Sequence, residues 1–415
     1  MRIQPVLMVI IIILFFSLID IYAFRGVSQL VQGLRHSWRL VVSCSYWTVT
    51  GLIVLWLVWL MSSFKSMAYE QFYHNATVFF GIVILVYVPK IFFNIFLLVH
   101  DITGILKMLQ GSISGNPEAV KMTRMVFILQ LGLIISGFFF ISIFWGIWKG
   151  KYNFTVKKHT LHFAGLPEAF NGVRIIQISD FHIGSFHRNP EQVKKAVELI
   201  NNEDADYVFF TGDMVNNKSV EMEPFIPVLS GIRARKGKFS ILGNHDYGDY
   251  YHWNSEAEKL ANMEELYLYH EQSGFRLLRN ESVQLSENGE SIALIGMENW
   301  GLPPFPQYGD LEKAMEKVQD IPFKILLSHD PSHWDAEVVG KTDISLTLSG
   351  HTHGMQFAIR VPGWSWSPVK MKYPRWNGLY REGVQYLYVS IGIGFIGFPG
   401  RVGTPPEITV FELTR

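Results

Sequence analysis

The sequence predicts a four-helix transmembrane region over residues 1–150, followed by an α/β domain over residues 151–415. Two observations predict this architecture. Four long apolar runs occupy the first part, and short apolar runs of strand length, each ending in a polar cluster, recur in the second. The single cysteine, Cys44, excludes an intramolecular disulfide and therefore a disulfide-stapled secreted scaffold.

The four apolar runs each approach the ~20 residues needed to cross a ~30 Å hydrocarbon core. They mostly lack the polar stripe of a soluble helix, which disfavours buried helices of a soluble domain. No small-residue cleavage site follows the first run, which disfavours a signal peptide. We expect helices at about residues 6–24, 46–64, 77–99 and 125–148, with solvated loops at about 25–42 and 102–124.

Two charged residues, Asp20 and Lys90, interrupt apolar runs. A charge inside a membrane span is costly. The simpler expectation is that both residues lie near helix ends or extend to the interface. A direct contact between Asp20 and Lys90 is the alternative.

Polar side chains follow the strand-like runs of the second part. In an α/β fold, the loops at the carboxyl ends of the strands carry the chemistry. The polar clusters are Asp180-Phe181-His182, Gly212-Asp213, Gly243-Asn244-His245-Asp246, Ser328-His329-Asp330 and Gly350-His351-Thr352-His353-Gly354.

This ordered series resembles the signature of the calcineurin-like metallophosphoesterase family, which reads D-x-H, GD, GNH[DE], H and GHTH. The resemblance covers about residues 170–412 and implies two β-sheets sandwiched between helices. It also implies a two-metal phosphoesterase. Two metal ions ~3.5–4 Å apart activate a nucleophile and place positive charge on the phosphoryl oxygens. Mixed imidazole and carboxylate ligands suit Mn²⁺, Fe and Zn²⁺ better than Ca²⁺ or Mg²⁺.

The resemblance assigns a role to each motif residue. His245 would face the phosphoryl group, where it stabilises the transition state or donates a proton to the leaving oxygen. Asp246 would orient the His245 imidazole. One metal would be held by Asp180, His182, Asp213 and His353, and the second by Asp213, Asn244, His329 and His351.

The C-terminal tail is similar to that of a membrane-attached bacterial branch of the family, with a Gly-rich, Arg-containing run before the sequence PPEI. Met355 departs from this branch, which commonly has a second glycine there, so we expect a narrower site entrance. We expect a multi-pass protein of the bacterial inner membrane. Basic residues are equally divided between the two sides of the predicted topology, and the Met1–Arg2 start favours a cytoplasmic catalytic domain.

Several substrate classes fit these features. The membrane anchor favours a phosphodiester or pyrophosphate of a lipid-linked substrate, such as the UDP-diacylglucosamine cleaved by some relatives, with membrane lipids as partners. Aromatic insertions at Tyr247–Trp253 and Trp364–Trp376 would either contact a ligand or pack a loop. The alternatives are a tethered phosphodiesterase or nucleotidase acting on soluble substrates, and a non-enzymatic membrane sensor.

The charge of the C-terminal part opposes nucleic-acid binding. Residues 1–150 carry 10 basic and 4 acidic side chains, whereas the remaining residues carry 26 basic and 32 acidic ones. Proteins that bind nucleic acid need a basic face. The sequence therefore predicts no nucleic-acid partner.

Overall fold

A computed structural model of the protein describes residues 5–64, 66–114 and 123–415. The chain forms two compact units that divide between Ile147 and Trp148. Four helices among the described residues of the N-terminal part are long and apolar enough to cross a membrane, which confirms the predicted four-helix region. They are α1 (Pro5–Leu30), α2 (His36–Ser63), α3 (Tyr69–Ser114) and α4 (Thr123–Trp148).

These helices contain the predicted apolar runs and continue past them. Much of the predicted loop 25–42 is therefore helical, because α1 extends to Leu30 and α2 begins at His36. The predicted loop 102–124 is helical up to Ser114, and residues 115–122 lie outside the described part of the chain. Hydropathy marks only the lipid-facing part of a helix, whereas the backbone hydrogen bonds of the helix continue into polar sequence.

The expectation that Asp20 and Lys90 lie near helix ends is wrong. Asp20 is fully buried within α1, and Lys90 Nζ of α3 lies 2.5 Å from its Oδ1 atom. The hydroxyl of Tyr87 donates to Asp20 Oδ2 over 2.8 Å, and Tyr46 of α2 donates to the Asp20 carbonyl over 2.9 Å. Pairing removes the need for either charge to reach water, since each is neutralised and hydrogen-bonded inside the helix bundle.

The second unit contains two six-stranded sheets and a separate two-stranded hairpin. The first sheet has the strand order β1-β14-β2-β3-β4-β5, and the second has the order β12-β13-β9-β8-β7-β6. The strands are β1 (Thr155–His162), β2 (Arg174–Ile178), β3 (Tyr207–Thr211), β4 (Gly237–Ile241), β5 (Arg276–Leu277), β6 (Glu281–Glu287), β7 (Glu290–Gly296), β8 (Lys324–Leu327), β9 (Leu346–Ser349), β10 (Ile359–Val361), β11 (Trp364–Trp366), β12 (Gly378–Glu382), β13 (Gln385–Val389) and β14 (Glu407–Thr414).

The two sheets pack face to face, with helices on the outer faces. Alternation along β3 shows how this arises, since successive side chains of a strand point to opposite faces. Phe209 joins the apolar cluster between the sheets, whereas Val208 and Phe210 join the cluster that includes residues of α5 (Pro190–Asn201) and α7 (Glu256–Gln272). A third cluster covers the outer face of the second sheet and includes residues of α8 (Leu311–Met315). The predicted fold, two sheets sandwiched between helices, is confirmed.

The parallel strands of the two sheets end where the polar motifs begin. Strands β2, β3 and β4 run parallel in the first sheet, and β7, β8, β9 and β13 run parallel in the second. Five loops that follow these strands therefore carry the functional side chains described next.

Candidate metal centre

The structure brings the predicted ligands together from five separate strand ends. Two groups of three residues have donor atoms that lie within 4.8 Å of one another, as a metal ion requires. One group comprises Asp180, His182 and His353, and the other comprises Asp213, His329 and His351. Their grouping matches the division between two metals that the motifs imply. Their role as ligands stays a prediction.

Asp213 lies between the two groups. Its Oδ2 atom is 3.1 Å from His329 Nε2 and 3.5 Å from His182 Nε2. In the first group, the Nε2 atoms of His182 and His353 are 2.9 Å apart, and Asp180 Oδ1 is 3.3 Å from His353 Nε2. One carboxylate therefore contacts members of both groups, which is the geometry needed to bridge two cations.

Asn244 extends the second group. Its Oδ1 atom lies 2.8 Å from His351 Nδ1, and its amide Nδ2 donates to the Tyr250 hydroxyl over 2.9 Å. Because the amide nitrogen is committed to Tyr250, the amide oxygen is turned toward the imidazole, where it can serve as a ligand.

The backbone at these residues adopts an uncommon conformation. Asp180, His182, Asp213, His351 and His353 all have positive φ, between 45° and 70°. Such conformations cost of order 1–3 kcal/mol each and persist where the surrounding structure imposes them, often at functional sites. This repeated left-handed geometry indicates that ligand placement, rather than local backbone preference, determines these loops.

Glycines in the motifs allow the close approach of the loops. A Cβ atom on Gly243 would lie 2.3 Å from Asp213 Oδ1, and one on Gly350 would lie 2.3 Å from Asp180 Oδ2. Each contact is far too short for carbon and oxygen. These glycines are therefore required for the carboxylates to occupy their positions.

Burial keeps two of the imidazoles neutral, as metal binding requires. Burial lowers the pKa of His182 to about 3 and that of His351 to about 4, so both are neutral at physiological pH. Burial opposes protonation of His329 as well, but the Asp213 carboxylate outweighs it and raises the pKa of His329 to about 10. The Asp213 carboxylate therefore favours a nearby positive charge, which a bound cation would supply in place of the His329 proton.

The donor set fits a transition-metal pair. His329 Nδ1 donates to the Thr211 carbonyl over 2.7 Å, so its Nε2 atom is the one available to a metal. That buried Nε2 atom makes no hydrogen bond of good geometry among the described residues, and the Asp213 carboxylate lies 3.1 Å from it. An imidazole nitrogen in this position, with a carboxylate and other imidazoles around it, fits Mn²⁺, Fe or Zn²⁺.

His245 lies at the edge of this cluster. Its ring is half-buried, with its centroid 4.9 Å from that of His182, and its backbone N–H donates to Asp213 Oδ1 over 2.8 Å. Its Nδ1 atom lies 2.8 Å from the Asn216 carbonyl oxygen, which can only accept, so Nδ1 carries the hydrogen. The other ring nitrogen, Nε2, is therefore the one available to exchange a proton.

The expectation that Asp246 orients this imidazole is wrong. The Asp246 carboxylate instead accepts from backbone N–H groups of Asp213, Met214, Val215 and Gly243, over 2.8–3.1 Å. Asp246 therefore fixes the loop that carries Asp213, and the Asn216 carbonyl fixes the His245 tautomer. Asp246 does not orient the imidazole because its fully buried carboxylate is surrounded by backbone N–H donors at the start of two loops.

Three further residues, which the sequence analysis did not assign to the site, support the centre. The Tyr373 hydroxyl lies 2.8 Å from His351 Nε2 and 3.3 Å from Asp330 Oδ2. Arg401 is buried, and its guanidinium lies 3.0 Å from His353 Nδ1 while it donates to the carbonyls of Gly394 and Ile391. Two sequence features could have indicated these residues: Arg401 lies within a glycine-rich run, and Asp330 follows His329 directly.

The two aromatic insertions differ in their contacts. In Tyr247–Trp253, Tyr247 is buried, whereas the Tyr250 hydroxyl accepts a hydrogen bond from the proposed ligand Asn244. Trp253 packs against Tyr251 with centroids 4.7 Å apart. In Trp364–Trp376, Trp376 is buried and Tyr373 contacts His351, whereas Trp364 is exposed. Each insertion therefore supplies one tyrosine to the centre.

The sequence is similar to known families along most of its length. Residues 2–151 match a family model described as "Probable Calcineurin-like phosphoesterase, transmembrane domain", and residues 173–355 match one described as "Calcineurin-like phosphoesterase". The chain is 33% identical over 261 residues to the "Uncharacterized metallophosphoesterase YkuE" of Bacillus subtilis, covering 62% of this chain and 84% of that protein.

Two other relatives are more distant. A "Transmembrane protein with metallophosphoesterase domain" from Bos taurus is 28% identical, covering 59% of this chain and 53% of that protein. An "Uncharacterized metallophosphoesterase" from Helicobacter pylori (strain J99) is 28% identical, covering 69% of this chain and 70% of that protein. The chain thus spans about half the length of the bovine relative.

Proposed function

Because the chain belongs to the calcineurin-like metallophosphoesterase family, we propose that it hydrolyses a phosphodiester or pyrophosphate bond with the help of two divalent metal ions. The observation that carries this proposal is the position of Asp213, whose carboxylate contacts a histidine of each donor group. A shared carboxylate is what brings two cations close enough to act on one phosphoryl group.

The ligands divide between the two ions as follows. Asp180, His182, Asp213 and His353 would hold one ion, and Asp213, Asn244, His329 and His351 the other. When bound, the ions supply an activated nucleophile and positive charge for the phosphoryl oxygens. Imidazole-rich ligands favour Mn²⁺, Fe or Zn²⁺.

His245 is the proposed catalytic residue that does not bind metal. Its Nδ1–H is committed to the Asn216 carbonyl, so only Nε2 can exchange a proton with substrate. A protonated Nε2 would donate to the leaving oxygen, or hydrogen-bond to a phosphoryl oxygen as charge develops. Asp246 is a positioning residue, because its carboxylate binds the backbone on which Asp213 is mounted.

We propose a lipid-linked substrate, such as UDP-diacylglucosamine. Four spanning helices keep the phosphoesterase domain at a membrane surface, where a substrate with acyl chains would also be concentrated. We further propose that the domain lies at the cytoplasmic face of a bacterial inner membrane, because Arg2 precedes the first apolar helix.

The test is hydrolysis by the full-length protein in detergent or vesicles. Chelation should abolish cleavage of a chromogenic phosphodiester, and Mn²⁺, Fe²⁺ or Zn²⁺ should restore it. A matched pair of phosphodiesters, with and without an acyl chain, then tests the substrate class. Full activity in a rigorously metal-free sample would contradict the two-metal proposal, and a preference for the ester without an acyl chain would contradict the lipid-linked one.

A further inference from the structure

An exposed hairpin stands between two residues of the metal centre. Strands β10 and β11 pair so that Ile359 lies opposite Trp366 and Val361 opposite Trp364. The strands are joined by Pro362 and Gly363, and Gly363 has a φ of 78°. Directly paired residues of an antiparallel hairpin share one face. These four side chains therefore form one apolar face, which we call the hairpin face.

The hairpin face is open to solvent. Trp364 is 54% exposed and Val361 52%, and the other two members are exposed as well. Met355 and Met371, which flank the hairpin in sequence, are 59% and 83% exposed. Two tryptophans and two aliphatic residues on one solvent-exposed face indicate a site of interaction.

The segment that follows the hairpin contacts the metal centre at two points. The Ser367 hydroxyl, directly after β11, donates to the carbonyl of Gly354, the neighbour of His353. Further along the same segment, Tyr373 follows Met371 by two residues and its hydroxyl lies 2.8 Å from His351 Nε2. The hairpin face thus directly precedes a segment that contacts the metal centre.

The charge of this segment indicates what kind of surface binds the hairpin face. Residues 354–373 include exposed Lys370 and Lys372 beyond β11 and exposed Arg360, which pairs with Ser365 on the opposite face of the hairpin, and they contain neither aspartate nor glutamate. The domain around it is net acidic. Tryptophan beside exposed basic side chains is typical of a surface that enters the interface of a membrane with anionic lipids.

The covalent connection to the membrane region limits the distance. Only the six residues 149–154 separate α4 from β1. The phosphoesterase domain is therefore covalently tied, through a short connection, to a helix that is long and apolar enough to cross a membrane.

We propose that the hairpin face inserts into the membrane interface and delivers a phosphoester headgroup from the bilayer to the metal centre. The inference of membrane contact depends only on the properties of the hairpin, whereas the inference of substrate delivery rests on the proposed function. The hairpin face binds an anionic lipid surface. Binding of a second copy of the chain, or of another protein, is the alternative result that the experiment below would reveal.

The contact is measured on the full-length chain by site-specific fluorescence. In a Cys44→Ser background, an environment-sensitive label is placed at Trp364→Cys or, as a control, at Leu268→Cys on α7, which is also 54% exposed. The protein is reconstituted in phosphatidylcholine–phosphatidylglycerol vesicles carrying a shallow lipid nitroxide. We expect the label at position 364 to be quenched and blue-shifted, and the label at 268 to be neither. Equal quenching at both positions, or a blue shift of the label at position 364 that follows protein concentration in detergent without lipid, would overturn the proposal.

A second measurement tests delivery. The Trp364→Ser/Trp366→Ser variant should retain hydrolysis of a small soluble phosphodiester, while its KM for an acylated phosphodiester in vesicles rises at least about tenfold, because tenfold corresponds to about 1.4 kcal/mol, less than full burial of one large apolar side chain contributes. An unchanged KM would contradict delivery. If wild-type protein cleaves neither ester, the proposed function fails, and the fluorescence result still decides the membrane contact.

Discussion

The substitution His245→Asn separates proton transfer from metal binding. His245 reaches Asp213 through its backbone N–H, over 2.8 Å, and this bond survives a change of side chain. The imidazole contributes a hydrogen bond to the Asn216 carbonyl and ring contacts to His182 and Tyr250. We therefore expect metal content near wild type, and a loss of unfolding free energy of about 1 kcal/mol, the usual value for one hydrogen bond.

The loss of activity should be much larger than the loss of stability. A general acid typically contributes about 10²–10⁴-fold to the rate. If His245 Nε2 donates a proton, kcat should fall by about this factor for an alkyl phosphodiester, which has a poor leaving group. For a nitrophenyl ester the loss should be small, because nitrophenolate departs without protonation.

The assay compares kcat for the two esters in wild type and variant, with elemental analysis of both proteins. An equal loss for the two leaving groups would show that His245 stabilises charge on the phosphoryl oxygens and transfers no proton. Loss of a metal ion from the variant would refute the reasoning, because His245 would then be a ligand. A Tyr269→Phe variant, which loses a hydroxyl on α7 that donates to Glu223, should match wild type in kcat for both esters and in metal content.

Three further changes test the surroundings of the centre and the helix bundle. Tyr373→Phe removes the hydroxyl 2.8 Å from His351 Nε2 and should weaken metal affinity about 10–100-fold, as outer partners of metal-binding histidines do, measured by competition with a chelator. Arg401→Lys leaves the carbonyls of Ile391 and Gly394 without the guanidinium fork and should destabilise the domain by about 2 kcal/mol in thermal unfolding, whereas exposed Arg381→Lys should stay within about 0.5 kcal/mol. Lys90→Met leaves Asp20 buried and unpaired and should cost about 3–5 kcal/mol, with Asp20→Asn/Lys90→Met restoring part of it. A double variant as unstable as Lys90→Met alone would show that the cost does not come from the unpaired charge of Asp20.

The sequence predicted the parts of the site that are encoded locally. Each motif lies directly after a buried strand, so the strand pattern and the motif together place Asp180, Asp213, Asn244, His329 and His351 at one end of the sheets. The left-handed conformation of Met355, with φ of 50°, explains why a related branch commonly has glycine there. The Met355 side chain is 59% exposed, so it lies at the solvent-accessible surface close in sequence to the hairpin.

The contacts that sequence reasoning missed depend on the fold. The Asn216 carbonyl has no side-chain signal at all, so the partner of His245 could only be found in three dimensions. Arg401 meets His353 from 48 positions away, and Lys90 meets Asp20 from 70 positions away. Hydropathy assigns a cost to each charge separately, whereas the cost in the structure depends on which residue faces it across the helices.

The central claim is that Asp213 is shared by two metal ions, and metal content tests it most directly. The full-length protein, its Asp213→Asn variant and an Asp320→Asn control at an exposed position are purified in parallel and their Mn, Fe and Zn measured per chain. We predict up to two ions for wild type and control, and no more than one for Asp213→Asn, with loss of hydrolysis. Unchanged metal content and activity in Asp213→Asn would contradict the claim.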